Sequence, residues 1–131
     1  GQYGIEPVPG GVLDALTHEF GEPPAVFFNG FSQGASMAYR AAALGRGQTA
    51  GVIALGGDVP PELSATQLSR IPRALIGWGT RDGFYDEDAR RADEQRLRAA
   101  GVEVAVVELD AGHKWTDAFT AAVSEWLRPF V

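Results

Sequence analysis

The sequence predicts an α/β domain: a parallel sheet of about four strands with helices on both faces. Three observations carry this expectation. Four short runs rich in apolar residues, Ala25–Asn29, Gly51–Leu55, Arg73–Trp78 and Glu103–Leu109, recur along the chain. Helix-like segments alternate with them, as in β-α repeats whose right-handed crossovers build a parallel sheet. The first run passes through Gly30-Phe31-Ser32-Gln33-Gly34 directly into a helical segment, a sharp strand-to-helix turn of the kind that lifts a serine clear of a sheet.

Composition sets the outer bounds. A chain of 131 residues is expected to form one domain, with enough length for a hydrophobic core but little for an extended α/β sheet. Apolar residues make up 45% and charged residues 21%, which is globular rather than disordered composition. A net charge of −6 argues against nucleic acid and other polyanions as partners, because those need a clustered basic face. The absence of cysteine rules out disulfides, thiolate metal ligands and a cysteine nucleophile. No basic-then-apolar leader opens the sequence, and no apolar run approaches the roughly 18 residues that span a bilayer. The expectation is a soluble, cytoplasmic protein without stable membrane insertion.

Taken in order, Gly1 to Pro9 read as an irregular lead-in in which Tyr3 and Ile5 suit a short edge strand. Val12, Leu13, Leu16 and Phe20 recur at helical spacing over Gly11 to Phe20, and Gly21 with Pro23-Pro24 supplies the stop. His18 on this helix lies off the apolar stripe and has no partner motif, so it reads as an exposed residue. Ala25–Asn29 is apolar without alternation, as expected of a strand covered on both faces. Gln33 to Leu44 is a helix rich in alanine, suited to close packing on a sheet, with Met37 and Tyr39 as packing residues and Ser36 as an ordinary helix residue. The second strand ends in Gly56-Gly57-Asp58 and Pro60-Pro61, after which one helical turn is expected around Glu62 to Leu68.

The third strand follows Pro72 and gives way to the polar turn Thr80-Arg81-Asp82-Gly83. Asp86 to Ala100 carries acids in its first turn and arginines in its last, matching the helix macrodipole. Its Glu87/Arg91 and Glu94/Arg98 pairs are spaced for salt bridges, and the run reads as a solvated face. The fourth strand leads into Asp110-Ala111-Gly112-His113. A last helix is expected over about Trp115 to Arg128, with Trp115, Phe119, Ala122 and Trp126 as its inner stripe.

Ligands bind parallel sheets at the carboxyl ends of the strands. Ser32, Asp82 and His113 each fall just past such an end. Gly-x-Ser-x-Gly alone is a weak signal in a chain with 17 glycines, but a strand before it and a helix after it make it a nucleophile elbow. Serine, carboxylate and imidazole together are the parts of acyl-transfer chemistry. An imidazole with an ordinary pKa near 6.5 takes the serine proton and returns it to a leaving group near neutral pH. Asp58 remains the alternative acid, whereas Asp86 fits a helix N-terminus and Asp117 the first turn of the last helix. Phe31, Phe84 and Trp115 neighbour these residues in sequence and suit an acyl pocket, although core packing explains them equally.

With these residues in view, the chain resembles the α/β-hydrolase superfamily, and within it the phospholipase/carboxylesterase group of serine esterases. The resemblance is carried by Gly30-Phe31-Ser32-Gln33-Gly34-Ala35, Leu55-Gly56-Gly57, Gly77-Trp78-Gly79-Thr80-Arg81-Asp82, and Ala111-Gly112-His113 leading to Trp126-Leu127. It implies Ser32 as nucleophile, His113 as general base and then acid, Asp82 as the carboxylate orienting His113, and the Gln33 N–H as an oxyanion donor. It implies small acyl esters as substrates, an acyl-serine intermediate, and neither metal nor organic cofactor.

Hydrolases of this kind carry further strands before the elbow strand and a loop with a second oxyanion donor. Only 24 residues precede Ala25, so the chain reads as a minimal or truncated domain. Gly1 to Gly4 or Gly10-Gly11 are the available substitutes for that donor. The elbow strand is expected at a sheet edge, covered by a second copy in a homodimer, by the N-terminal lead-in, or by a missing N-terminal segment of a longer protein.

Overall fold

The computed structural model of the chain describes residues 25–131. The expected edge strand at Tyr3 and Ile5, the helix bearing His18 and the glycines before Ala25 lie outside the described residues. Four strands, β1 (Phe27–Phe31), β2 (Gly51–Leu55), β3 (Arg73–Gly79) and β4 (Glu103–Leu109), form one sheet in the order β1-β2-β3-β4. All three pairings are parallel, with Phe31 opposite Leu55 and Gly79 opposite Leu109 at the carboxyl rim. The helices are α1 (Gln33–Leu44), α2 (Ala65–Leu68), α3 (Glu87–Ala99) and α4 (Asp117–Leu127), followed by a 3₁₀ turn at Arg128–Phe130. The α/β class expected from the sequence is therefore the observed one.

Sequential strand order has a consequence for the layers. Right-handed crossovers that step the same way across a sheet place their helices on the same face. Accordingly, Ala35, Ala38 and Tyr39 of α1, Leu68 of α2 and Leu97 of α3 pack with Phe28, Val52, Ala54, Ala74 and Ile76. The other face, with Ile53, Leu55 and Leu75, is covered by the C-terminal helix through Phe119, Val123 and Trp126. Consecutive strand residues alternate between these two cores, the period-2 geometry of a strand.

Coverage of β1 is less complete than its apolar sequence suggests. Phe28 and Gly30 are buried, while Phe27, Asn29 and Phe31 are only half-buried. One face lies under α1; on the other, among the described residues, the Phe27 ring contacts Trp126 and Phe130, each at 5.6 Å between centroids, and Phe31 packs beside His113. Among the described residues β1 pairs with β2 alone, at one edge of the sheet.

Helix starts follow their capping chemistry. Ser64 and Gln67 form a capping box at α2, Asp86 accepts from the Ala89 N–H at α3, and Thr116 accepts from the Phe119 N–H at α4. The Thr116 cap corrects the expected start of the last helix: Trp115 precedes it, is 39% exposed, and packs edge-on against Phe119 at 4.8 Å. Met37 is likewise not a core residue, being 45% exposed, because the buried stripe of α1 is Ala35, Ala38, Tyr39 and Ala42.

The acidic and basic run of α3 is not wholly a solvated face. The expected Glu87–Arg91 and Glu94–Arg98 pairs form at the surface, both at 3.1 Å. Asp93, however, is 7% exposed and accepts hydrogen bonds from the Tyr85 hydroxyl at 2.7 Å and the Val59 N–H at 3.2 Å. The Tyr39 hydroxyl is buried and has no hydrogen-bond partner among the described residues. Burial pushes the Asp93 carboxyl up to about 6; Asp58 adds to the rise, while Tyr85, Val59 and Arg96 oppose it.

An acid whose pKa is higher folded than unfolded binds more protons in the folded state. Its contribution to stability is complete below about pH 4 and is lost as pH rises through about 6. Replacing Asp93 by Asn removes that loss. In urea denaturation, the stability difference between variant and parent is expected to move in the variant's favour by on the order of 3 kcal/mol between about pH 4 and pH 7. A difference independent of pH would show that Asp93 does not titrate in this range.

Candidate active site

The site forms where β1, β2, β3 and β4 end. Ser32 follows the last residue of β1 and precedes the first of α1, at φ 60° and ψ −122°. It is the only non-glycine residue with positive φ among the described residues. Two backbone bonds fix this turn: the Ser32 N–H donates to the Leu55 carbonyl at 2.8 Å, and the Ala35 N–H donates to the Ser32 carbonyl at 3.0 Å. Gly30 makes the turn tight enough, because a Cβ there would overlap the Gly34 carbonyl.

Ser32 stands at the N-cap of α1 but its side chain does not cap. Its Oγ lies 2.9 Å from His113 Nε2 instead. The other ring nitrogen, Nδ1, lies 2.7 Å from Asp82 Oδ2. A carboxylate only accepts hydrogen bonds, so Nδ1 carries the proton and Nε2 is left to accept from the serine hydroxyl.

The second Asp82 oxygen accepts from the Phe84 and Tyr85 N–H groups at 2.7 and 3.1 Å. Burial pushes the Asp82 carboxyl up, yet the hydrogen bonds from His113, Phe84 and Tyr85 outweigh it and hold the group below the usual carboxylate range. It is therefore charged throughout the range in which an imidazole titrates.

Backbone bonds join the two loops behind this pair. The Thr80 N–H donates to the Leu109 carbonyl at 2.8 Å and the Arg81 N–H to the Ala111 carbonyl at 2.9 Å. Gly56, at φ 65°, lies beneath the pair: a Cβ at this position would sit 3.3 Å from both Asp82 Oδ2 and His113 Nδ1. Only glycine combines that conformation with that space.

The remaining sequence candidates separate cleanly. Phe31 and Phe84 flank the His113 ring at centroid distances of 4.8 and 5.0 Å, and Phe84 is 86% exposed. Trp115 turns toward the last helix, where its indole N–H donates to Thr120 Oγ1 at 2.6 Å. Asp58 is exposed, and its carbonyl accepts from Ser36 Oγ at 2.7 Å; Asp82 is the acid on His113. Gln33 opens α1, so its N–H has no acceptor within the helix. Among the described residues no group of three or more His, Asp or Glu side chains is placed to hold a metal ion. No helix among them is long and apolar enough to cross a membrane.

Two residues at the site escaped the sequence reading. Tyr85 is buried directly after the Asp82 turn, and Asp93 holds its hydroxyl. The available signal was helical spacing: Asp93 lies four residues from both Ala89 and Leu97, on the inward stripe of α3.

Known proteins agree with this architecture. The chain is similar to SOBER1 of Arabidopsis thaliana, with 23% identity and a TM-score of 0.69 over 91% of this chain and 60% of that one. A carboxylesterase of Bacillus cereus gives 18% identity and a TM-score of 0.70, covering 91% of this chain and 57% of that one. The acyl-protein thioesterase 2 of Zea mays gives 23% and 0.65, covering 92% and 62%. Identities this low establish the fold, and the chain spans about 60% of the length of these relatives. No curated protein sequence matches it significantly. The phospholipase/carboxylesterase sequence family matches residues 12–130, nearly the whole chain, and the chain belongs to that family of α/β-hydrolases.

Proposed function

We propose that the chain is a serine esterase that cleaves carboxylic esters of short or medium acyl chains, with thioesters and lipids as further candidate substrates. One observation carries this reading: a continuous line from Ser32 Oγ through the His113 ring to Asp82, with links of 2.9 and 2.7 Å. Serine needs a base within hydrogen-bond reach, and the base needs a fixed tautomer. Both requirements are met by residues at the carboxyl ends of parallel strands.

In the first half-reaction His113 Nε2 takes the Ser32 proton as Oγ bonds to the acyl carbon. The carbonyl electron pair moves to oxygen, giving a tetrahedral oxyanion beside the N-terminus of α1. The Gln33 N–H is the donor proposed for that charge, aided by the positive end of the helix dipole. The bond to the leaving alcohol then breaks, and Nε2 returns the proton to the departing oxygen. Water repeats the sequence on the acyl-serine: it gives a proton to Nε2, adds to the acyl carbon, and Ser32 leaves with the proton restored. Asp82 stays ionised and balances the imidazolium charge. Phe31 and Phe84, which flank the imidazole, are proposed to contact the acyl group; Trp115 faces elsewhere.

A second reading has its own support. The chain spans about 60% of its structural relatives' length, and β1 has one strand neighbour among the described residues. On this reading it is a weakly active or inactive hydrolase domain whose fold serves association with another chain or copy.

A fluorophosphonate probe distinguishes the two. Labelling of the native chain that disappears in Ser32→Ala supports the esterase, and absence of labelling supports association. Turnover of a p-nitrophenyl ester is expected to be abolished in His113→Ala. Asp82→Asn is expected to cost about 10⁴-fold in kcat, as loss of the orienting carboxylate does in serine proteases, whereas Asp58→Asn stays within a few-fold of the parent. The reverse order would move the orienting role to Asp58. Gly56→Ala is expected to lose about 1–2 kcal/mol in urea denaturation from its positive φ alone, with lower turnover because the new methyl crowds the imidazole.

A further inference from the structure

Behind the reacting residues lies a buried carboxylate that touches none of them. A single oxygen of Asp93, Oδ2, accepts from both the Tyr85 hydroxyl at 2.7 Å and the Val59 N–H at 3.2 Å. These donors belong to different loops. Tyr85 ends the turn that carries Asp82, and its backbone N–H donates to Asp82 Oδ1 at 3.1 Å. Val59 lies in the loop leaving β2, three residues after Gly56, which sits beneath Asp82 and His113. Asp93 thus ties together the two loops that meet under the imidazole.

The neighbouring charges only partly compensate a carboxylate at this position: Arg96 favours its charged form and Asp58 opposes it. Arg96, on the same helix, directs its guanidinium to the carbonyls of Pro60 and Leu63 rather than into an ion pair with Asp93. The Asp93 charge in turn adds to the rise that burial gives the Tyr39 hydroxyl of α1. A leucine would offer the same heavy-atom branching, in a somewhat larger side chain, without the cost of burying a charge. What the carboxylate adds is an acceptor at a fixed point for two donors.

We propose that Asp93 is a positioning residue for Asp82, acting through Tyr85: it holds the ring at one end while Asp82 holds the backbone at the other. This rests on the roles given above to Ser32, His113 and Asp82. The contact between Asp82 and the imidazole strengthens as positive charge develops on the ring, so loosening it lowers kcat and leaves KM unchanged.

The test measures ester turnover, together with the low-field proton resonance of His113 Nδ1–H, in the chain and in Asp93→Asn, Asp93→Leu and Tyr85→Phe. Asn keeps an oxygen acceptor, and its kcat is expected within about threefold of the parent with the resonance retained. Leu keeps the branching, with added bulk, but has no acceptor, and Phe lacks only the hydroxyl. Each is expected to lower kcat about tenfold, the worth of one hydrogen bond, with KM within about twofold and the resonance shifted or broadened. The double variant Tyr85→Phe/Asp93→Leu is expected to lose no more than Asp93→Leu alone, because both act through one bond. Leu equal to Asn in kcat and resonance, or Tyr85→Phe equal to the parent in both, overturns the proposal. If Asp93→Leu does not fold, Tyr85→Phe decides the matter, since it removes a single buried hydroxyl. A parent that neither turns over ester nor labels overturns the esterase reading instead, and the resonance then tests the Asp93 link by the same outcomes.

Discussion

The site depends on the backbone of Ser32, which changes a parallel strand into a helix within one residue. A side-chain-bearing residue at φ 60° is strained by about 1–3 kcal/mol and persists only where its surroundings over-determine it. Here they do. The Leu55 carbonyl holds the Ser32 N–H, the Ala35 N–H holds its carbonyl, and the absent side chain of Gly30 admits α1 against the end of β1. A relaxed N-cap would turn the hydroxyl back onto its own helix, as Ser64 does at α2. The strained one presents it to His113.

Strand order supplies the rest of the geometry. Sequential parallel pairing brings the loops after β1, β2, β3 and β4 to one rim, and the crossover helices are confined to one face. The opposite face remains for α4, whose Phe119 is fully buried against the sheet. The acid and the imidazole are held together by more than their mutual bond, since Thr80 and Arg81 extend the pairing of β3 with the β4 segment past the end of the sheet. Rigid loops are what a site needs when a displacement of about 1 Å costs on the order of 10²-fold in rate.

Much of this was legible in the residues. Glycine and proline punctuation located three of the four described strands to within a residue and the first, expected at Ala25–Asn29 but running Phe27–Phe31, two residues early, and the elbow's spacing put Ser32 at the strand-to-helix junction, because those signals are local. The choice between Asp82 and Asp58 was not local: each follows a strand, and only the folded chain shows which carboxylate reaches His113. Trp115 was misplaced by periodicity, which cannot see that Thr116 caps the helix after it. Asp93 was hidden by its neighbours, since a helix rich in surface ion pairs reads as solvated throughout. Its position between Ala89 and Leu97 carried the contrary signal.

Asp82 and Asp93 show how environment divides one chemistry between two roles. Both are buried carboxyls, and burial alone would push both up. Asp82 accepts from His113, Phe84 and Tyr85, and these bonds hold it below the usual range. Among the described residues Asp93 accepts from Tyr85 and Val59, with Asp58 acting against its charge, and burial pushes it up to about 6. Donor number and neighbouring charge, rather than residue type, separate the two. The carboxylate with more donors faces the imidazole of His113. The one with fewer donors lies behind it, bonded to the Tyr85 hydroxyl and the Val59 N–H. Tyr85 donates its backbone N–H to the first and its hydroxyl to the second, so the charge of Asp82 and the placement of its turn are coupled through a single residue.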